Sequence, residues 1–225
     1  LMAHGTPLQR EVFAKNQFSG RWFGTMCLSE PQAGSSLSDV ATRAVPDETP
    51  GGAAEGVAPW ESDPLGPRYR LRGNKMWISN GEHEITENIV HLVLAKLPGA
   101  AAGTRGISMF LVPKFIPNAD GSLGARNAVT CGSIEHKMGS KGSATCVLNF
   151  DGAVGYLVGE EGKGMRGMFT MMNSARLGVG IQGLGLATNS YHNAVTYARE
   201  RLQGRSLSGA KNPEGPAVPI LVHAE

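Results

Sequence analysis

A first segment with residue types suited to ligand binding runs over residues 25–36, TMCLSEPQAGSS. A strand-like stretch there ends in a Ser-Glu-Pro corner, which is followed by a turn of small residues. Such a turn leaves backbone N–H groups and hydroxyls available to an anion or to the polar edge of a heterocycle. We therefore expect this turn to contact a ligand.

A second segment, residues 75–81 or KMWISNG, combines an indole with a hydroxyl two residues later. Because side chains alternate along a strand, Trp77 and Ser79 are expected on the same face. A Trp and a Ser on one face suit a flat cofactor with a polar edge. The alternative is a core Trp at the end of a strand.

Other motif-like runs indicate structure rather than chemistry. Residues 178–183 read GVGIQG, but a dinucleotide-binding GxGxxG must follow a buried strand, and this run lies inside a helical pattern. Its small residues favour close helix packing. Residues 159–164, GEEGKG, lack the spacing of a phosphate loop and predict a turn into a helix. Histidines 83, 91 and 136 lack metal-ligand spacing, so no metal site is predicted.

The remaining patterns predict the elements that position these segments. Residues 6–15 predict a helix capped by Thr6, with Pro7 at its first position. Short β-rich runs separated by Gly, Pro, Asn and Ser predict an antiparallel barrel or sandwich. Gly73-Asn74 is expected to form a turn between two of them. The predicted strands are residues 69–72, 75–79, 89–95, 107–112 and 146–150.

Two further stretches differ from the strands. Residues 42–67 are rich in Pro, Gly and acidic residues and predict an exposed loop or insertion. From Gly164 to about Gln203, apolar residues recur every three or four positions, which predicts one long helix. A helix of that length with several internal glycines needs partner helices. We expect those partners in a further C-terminal part, in other subunits, or in both.

Composition excludes some classes of protein. The chain has 225 residues with 21 basic and 19 acidic side chains, and the basic residues are scattered. Proteins that bind nucleic acid or membrane surfaces need concentrated positive charge, so neither class is expected. The three cysteines, Cys27, Cys131 and Cys146, form no CxxC pair. We interpret them as small core residues, which favours a cytoplasmic protein without disulfides.

Five stretches, in their order along the chain, resemble the acyl-CoA dehydrogenase family. They are CLSEPQAGSS, NKMWISNGE, HKMGSKGS, the LVGEEGKGM run into the long helix, and YARERLQGR. Each is weak alone, but five in this order are specific, and together they cover about residues 5–205. Residues 78–114 look most similar to the subgroup that includes 3-methylmercaptopropionyl-CoA dehydrogenase. Members of that subgroup also carry a long loop where residues 42–67 lie.

The resemblance implies a role for each matching residue. The Ser29 hydroxyl would bond to the flavin ring, Trp77 would pack on it, and the Ser79 hydroxyl would lie near its N5 atom. Relatives commonly carry Thr at both serine positions, which keeps the hydroxyl. Arg201 would reach the FAD of a neighbouring subunit, where a guanidinium suits a pyrophosphate. The implied cofactor contacts are Met26, Leu28, Ser29, Gly34, Ser35, Trp77, Ile78, Ser79, Arg201 and Gln203, and the implied substrate contacts are Ser35, Asn173 and Arg176.

The resemblance also implies a reaction, in which an acyl-CoA loses a proton from Cα and a hydride from Cβ to flavin N5. In most relatives the base is a Glu well beyond the long helix, and in a minority it directly precedes the position of Arg176. Ala175 stands there and cannot accept a proton. We therefore expect no catalytic base within this chain, with the base beyond Glu225 and the chain inactive alone.

The resemblance further implies the organisation of the molecule. The chain would be a fragment, with residues 1–19 ending an N-terminal helical domain, residues 20–160 forming a β-barrel middle domain, and residues 161–225 beginning a C-terminal helical bundle. Electron-transfer flavoprotein is the expected electron acceptor, and a homodimer or dimer of dimers the expected assembly. The alternatives are an acyl-CoA oxidase of the same fold, or a non-catalytic relative such as a DNA-associated flavoprotein or a β-rich binding module. The small net charge of +2 argues against DNA binding.

Overall fold

The computed structural model describes residues 1–49 and 56–223. The chain divides into two compact units, Leu1–Thr170 and Met171–Glu225. The predicted N-terminal helix is confirmed: Thr6 caps it, since the Gln9 N–H donates to Thr6 Oγ1 at 3.1 Å and the Thr6 N–H donates to Gln9 Oε1 at 3.1 Å. It continues past residue 15 as α1 (Pro7–Gln9), a π-helical turn (Arg10–Ala14) and α2 (Lys15–Phe18).

Nine strands, counted over the described residues, form the body of the first unit. They are β1 (Trp22–Cys27), β2 (Arg43–Pro46), β3 (Arg68–Ser79), β4 (Asn88–Lys96), β5 (Ile107–Pro113), β6 (Phe115–Pro117), β7 (Leu123–Arg126), β8 (Val129–Ile134) and β9 (Thr145–Leu157). The predicted strands at 89–95, 107–112 and 146–150 are confirmed, and β9 extends well beyond its predicted end. Short 3₁₀ helices occupy Leu37–Asp39, Pro59–Glu61, Gly103–Gly106 and Ile220–Val222.

The main sheet is mixed, so the expectation of a purely antiparallel sheet is wrong. β1 runs parallel to β4 from Trp22 opposite Asn88 to Cys27 opposite Val93, and β2 also pairs in parallel with β4. The other pairings in this sheet are antiparallel. The pairings form a closed circuit in which β4 pairs with β2, β2 with β3, β3 with β9, β9 with β5, and β5 with β4. The strands β6 and β7 form a separate pair. Period-two patterning identifies strands but does not fix the direction of their partners.

The core lies among the central strands. Every residue of β5 is buried, as is most of β4, which is the pattern of strands covered on both faces. Phe110 and Tyr69 pack edge to face with ring centroids 5.1 Å apart. Cys27 and Cys146 are buried and Cys131 is partly buried, and all three are free thiols.

The predicted turn at Gly73-Asn74 is wrong, because β3 continues through both residues. Gly73 adopts φ +151°, and a Cβ there would lie 2.5 Å from Thr42 Oγ1. The glycine therefore permits close strand packing rather than a reversal of the chain. In the predicted 42–67 loop, Arg43–Pro46 form β2, while residues 50–55 lie outside the described part of the chain.

The long helix is confirmed as α3 (Gly164–Glu200), slightly shorter than predicted. It begins against β5: a Cβ on Gly164 would lie 2.5 Å from the Ser108 carbonyl carbon, and the Gly162 N–H donates to Ser108 Oγ at 2.9 Å. The GVGIQG run lies inside α3, as the helical pattern predicted. Among the described residues no helix is long and apolar enough to cross a membrane.

Candidate functional site

The two segments singled out in the sequence meet in the first unit. β1 ends at Cys27, and the chain continues through Leu28 and Ser29 alongside β3. There the Met76 N–H donates to the Ser29 carbonyl at 2.9 Å. This bond joins the first segment, just after β1, to the start of the second, so both contribute to one surface.

A bulge in β3 shapes this surface. The register with β9 shifts between Lys75 and Ile78, and Trp77 adopts φ +64°. A non-glycine residue at positive φ is uncommon, and such residues and bulges concentrate at functional sites. Trp77 is 57% exposed, whereas Ile78 is 2% exposed and its side chain joins the core. The alternative that Trp77 is a core residue is therefore wrong.

The two predicted hydroxyls differ in exposure. Ser79 is exposed, so residues 77–79 alternate exposed, buried, exposed. Ser29 and Leu28 are half-buried beside the junction. On β1, Met26 is exposed between the buried Thr25 and Cys27. An exposed indole with an exposed hydroxyl two residues later, beside a half-buried hydroxyl at the junction, fits a flat ring with a polar edge.

A buried ion pair lies beneath this surface, and the sequence reasoning missed it. Lys75 Nζ lies 2.8 Å from Glu30 Oε1, with 0% and 2% of the two side chains exposed. Lys75 Nζ also donates to the Leu28 carbonyl at 3.0 Å. One signal for it was present, since a Lys at an inward position of an alternating strand needs a buried anionic partner.

Glu30 is held in its charged form. Burial by itself raises the pKa of this carboxyl. The positive charge and hydrogen bond of Lys75, with donors from Thr42 and Ala41, outweigh burial and place the pKa below its ordinary value. A carboxylate held this way is a structural anion rather than a proton acceptor.

The turn that follows Glu30 contains two more predicted contacts. Gly34 and Ser35 are exposed, directly after a bridge in which Glu30 and Ala33 exchange backbone hydrogen bonds of 2.7 and 3.1 Å. The bridge fixes where the turn starts, and it leaves Ser35 accessible to solvent.

The other predicted contacts belong to the second unit. Asn173 and Arg176 are exposed on α3, while Arg201 and Gln203 follow its end. The backbone at Gln203 is tied to later residues, because its N–H donates to the Val218 carbonyl at 2.9 Å and the Arg201 carbonyl accepts from the Ile220 N–H at 2.9 Å. These bonds hold the segment after the helix in a defined conformation.

Among residues 1–49 and 56–223, no group of three or more His, Cys, Asp and Glu could hold a metal ion. His91 is buried in β4, where its Nδ1 lies 2.7 Å from Thr25 Oγ1. A separate cavity lined by His4, Glu160, Lys163 and Arg166 contains none of the predicted contacts.

Comparison with known proteins identifies the fold to which this junction belongs. The family model for the acyl-CoA dehydrogenase middle domain matches residues 25–153, which is more than half of the chain and includes both segments. The chain belongs to the acyl-CoA dehydrogenase family. The match begins at Thr25, just before the Ser-Glu-Pro corner, and ends within β9.

Individual members of the acyl-CoA dehydrogenase family extend the similarity beyond the middle domain. The chain is 44% identical to 3-methylmercaptopropionyl-CoA dehydrogenase of Ruegeria pomeroyi over 98% of its own length and 34% of the relative's. It is 41% identical to a butyryl-CoA dehydrogenase of Syntrophomonas wolfei, over 96% and 34%. The chain therefore spans about a third of the length of these curated relatives.

A solved structure in the family supports the same fold. Butyryl-CoA dehydrogenase from Megasphaera elsdenii superposes with a TM-score of 0.67 at 27% identity. The superposition covers 90% of this chain and 45% of that one. The expected resemblance is thus confirmed at the level of family and fold.

Proposed function

We propose that this chain supplies the flavin-facing and acyl-CoA-facing part of an FAD-dependent acyl-CoA dehydrogenase. The observation that carries the proposal is the 2.9 Å bond from the Met76 N–H to the Ser29 carbonyl, which joins the two segments beside an exposed Trp77. The family membership and the dehydrogenase names of the relatives support it.

The residues at the junction have the chemistry to hold an isoalloxazine ring. The indole of Trp77 offers an apolar face for stacking, and the hydroxyls of Ser29 and Ser79 can donate to or accept from the polar edge of the ring. The side chain of Ile78 packs in the core, so Ile78 can make such contacts only through its backbone. When bound, FAD supplies the redox chemistry by accepting a hydride from the substrate Cβ at N5.

Substrate contacts are assigned to Ser35, Asn173 and Arg176. Hydrogen bonds to a thioester oxygen stabilise the negative charge that develops as Cα loses its proton. Arg201 and Gln203 are assigned to the FAD of a neighbouring subunit, which would make the site dependent on a homodimer or dimer of dimers. Electron-transfer flavoprotein is the proposed acceptor of the electrons.

We also propose the three-part organisation expected from sequence, with a middle domain at residues 20–160 between the ends of two helical domains. The circuit of strand pairings from β4 through β2, β3, β9 and β5 supports a small barrel in that middle domain. Ala175 occupies the helix position where a minority of relatives carry the base, so the base is proposed to lie outside this chain.

The test compares the 225-residue chain with the full-length gene product. Purified full-length protein should contain FAD and reduce an electron-accepting dye with butyryl-CoA or 3-methylmercaptopropionyl-CoA. The 225-residue chain should reduce no dye with either thioester. Turnover by the chain alone would refute the proposal that the catalytic base lies outside it. A full-length product with neither FAD nor dye reduction would refute the proposed function.

A pair of Trp variants tests the location of the flavin. Trp77→Leu in the full-length product should weaken FAD binding by roughly fivefold, because stacking contributes about 1 kcal/mol. Trp60→Leu is the matched control, since Trp60 packs on Tyr69 with centroids 5.3 Å apart, away from the junction. Equal FAD affinity in Trp77→Leu and wild type would place the ring elsewhere.

A further inference from the structure

The buried pair of Lys75 and Glu30 connects the two segments of the site from below. The Lys75 ammonium donates to Glu30 Oε1 at 2.8 Å and to the Leu28 carbonyl at 3.0 Å. One ammonium thus holds both a carboxylate and a main-chain oxygen of the segment after β1. Trp77 lies two residues further along β3, where it projects into solvent.

Glu30 is fixed by a full set of donors. It accepts hydrogen bonds from Thr42 Oγ1 at 2.5 Å, the Thr42 N–H at 3.1 Å, the Ala41 N–H at 2.7 Å and Gln32 Nε2 at 2.8 Å, in addition to Lys75. Thr42 in turn packs against Gly73 of β3. The pair therefore ties together the segment after β1, the segment before β2, and β3 itself.

Stability alone does not explain why a charged pair occupies this position. A buried ion pair loses the hydration of both charges, and apolar residues of similar volume are often as stable or more stable. The pair contributes hydrogen bonds of fixed direction. Its bond to the Leu28 carbonyl turns that group inward, and this places the Ser29 carbonyl where it accepts from the Met76 N–H. Directional bonds of this kind hold a surface in a single arrangement, which a functional site requires.

We propose that Lys75 and Glu30 are positioning residues for the flavin-facing surface. Their bonds to the Leu28 carbonyl and across to Thr42 fix Ser29 against β3, and this sets the bulge that turns Trp77 outward. The inference rests on the proposed function, because it assigns to the pair the alignment of the residues that would contact FAD.

The test uses two variants of the pair and one matched control in the full-length gene product. Lys75→Met and Glu30→Gln each remove one charge with little change in volume. Asp47→Asn is the control: Asp47 is 1% exposed, follows β2, and pairs with Arg68 at 2.8 Å and Arg70 at 2.9 Å, which lie at the opposite end of β3 from the junction. It removes an equally buried carboxylate at a distance from the junction.

The readout is the visible absorption spectrum of the bound flavin together with FAD affinity. Lys75→Met and Glu30→Gln should shift the absorption bands and weaken FAD binding by roughly tenfold or more. Asp47→Asn should lower the melting temperature without moving the bands. Wild-type spectra and affinity in both pair variants would overturn the inference, as would an equal shift in Asp47→Asn.

A second measurement separates this inference from the proposed function. The emission of Trp77, taken as the difference between each protein and its Trp77→Phe counterpart, is recorded without FAD. A changed emission in Lys75→Met and Glu30→Gln but not in Asp47→Asn supports positioning, even where wild type binds no FAD and the proposed function fails. If the emission is unchanged in Lys75→Met and Glu30→Gln while the wild type binds FAD, the inference is wrong and the proposed function stands.

Discussion

At the scale of single residues, Glu30 determines how the junction responds to acid. Its pKa lies below the ordinary 4.5 in the folded protein, because Lys75 and the hydrogen-bond donors outweigh the effect of burial. The stabilisation is complete above the unfolded pKa and is lost as pH falls through the lower folded pKa. Glu30→Gln should therefore cost on the order of 3 kcal/mol of unfolding free energy near neutral pH and flatten the acid dependence below about pH 4.5. Urea unfolding from pH 3 to 7 measures both effects: parallel curves for variant and wild type would contradict the change in acid dependence, and coincident curves would contradict both.

His91 gives the opposite kind of prediction, since burial lowers its pKa from 6.5 to about 3. The folded protein keeps a neutral ring while the unfolded chain takes up a proton below pH 6.5. Unfolding free energy should therefore fall by up to about 1.4 kcal/mol per unit as pH drops from 6.5 towards 5. His91→Gln should remove this slope, as urea titrations over that range would show. A slope that persists in the variant would assign it to another group.

Around the junction, sequence reasoning singled out Trp77 and Ser79, which face solvent, and missed the buried pair beneath them. Trp77 and Ser79 were predicted to share one face from their two-residue spacing, and both are exposed. The half-buried Ser29 was assigned only through the family resemblance, and its role stays a prediction. Glu30 and Lys75 stood within the same motifs but were not recognised as a pair. Their contact depends on the approach of β1 to β3, which no local pattern encodes.

At the scale of elements, Gly73 is the position where β3 is least tolerant of change. A Cβ would meet Thr42 Oγ1 at 2.5 Å and Thr42 Cα at 2.8 Å, and φ is +151°. Gly73→Ala should destabilise the chain by about 1–3 kcal/mol through overpacking and backbone strain. Gly142→Ala is the control, because nothing lies within 4 Å of a Cβ there and its effect should stay within about 0.5 kcal/mol. Thermal unfolding of both variants decides the matter, and equal stability would show that Thr42 can move.

The same glycine explains where the prediction of elements failed. A Gly-Asn dipeptide between apolar runs is a common hairpin signal, but here the glycine provides room for Thr42 and the strand runs on to Ser79. β2 was missed because its four residues end in Pro46 within a stretch rich in turn residues. Strands β4 and β5 were predictable, because a nearly continuous apolar run by itself indicates a strand that is buried on both faces.

At the scale of the whole molecule, the main feature of α3 is a set of apolar side chains that stay exposed to solvent in this chain. The buried residues of the helix are Gly164 and Met168, near its start, whereas Leu177, Ile181 and Leu184 are 73%, 70% and 68% exposed. Helices derive most of their stability from packing of an apolar face, so residues 171–200 have little to hold them in the chain alone.

Hydrogen exchange tests this expectation directly. In the dilute 225-residue chain, amides of residues 171–200 should exchange roughly a hundredfold faster than those of β4 and β5, because local opening there breaks few buried contacts. In the full-length gene product the same amides should become protected, since further segments or subunits would cover the apolar residues. Leu184→Lys sharpens the comparison: it should leave the stability of the isolated chain within about 0.5 kcal/mol but destabilise the full-length product. Strong protection of residues 171–200 in the dilute chain would mean that this helix is stable without any cover.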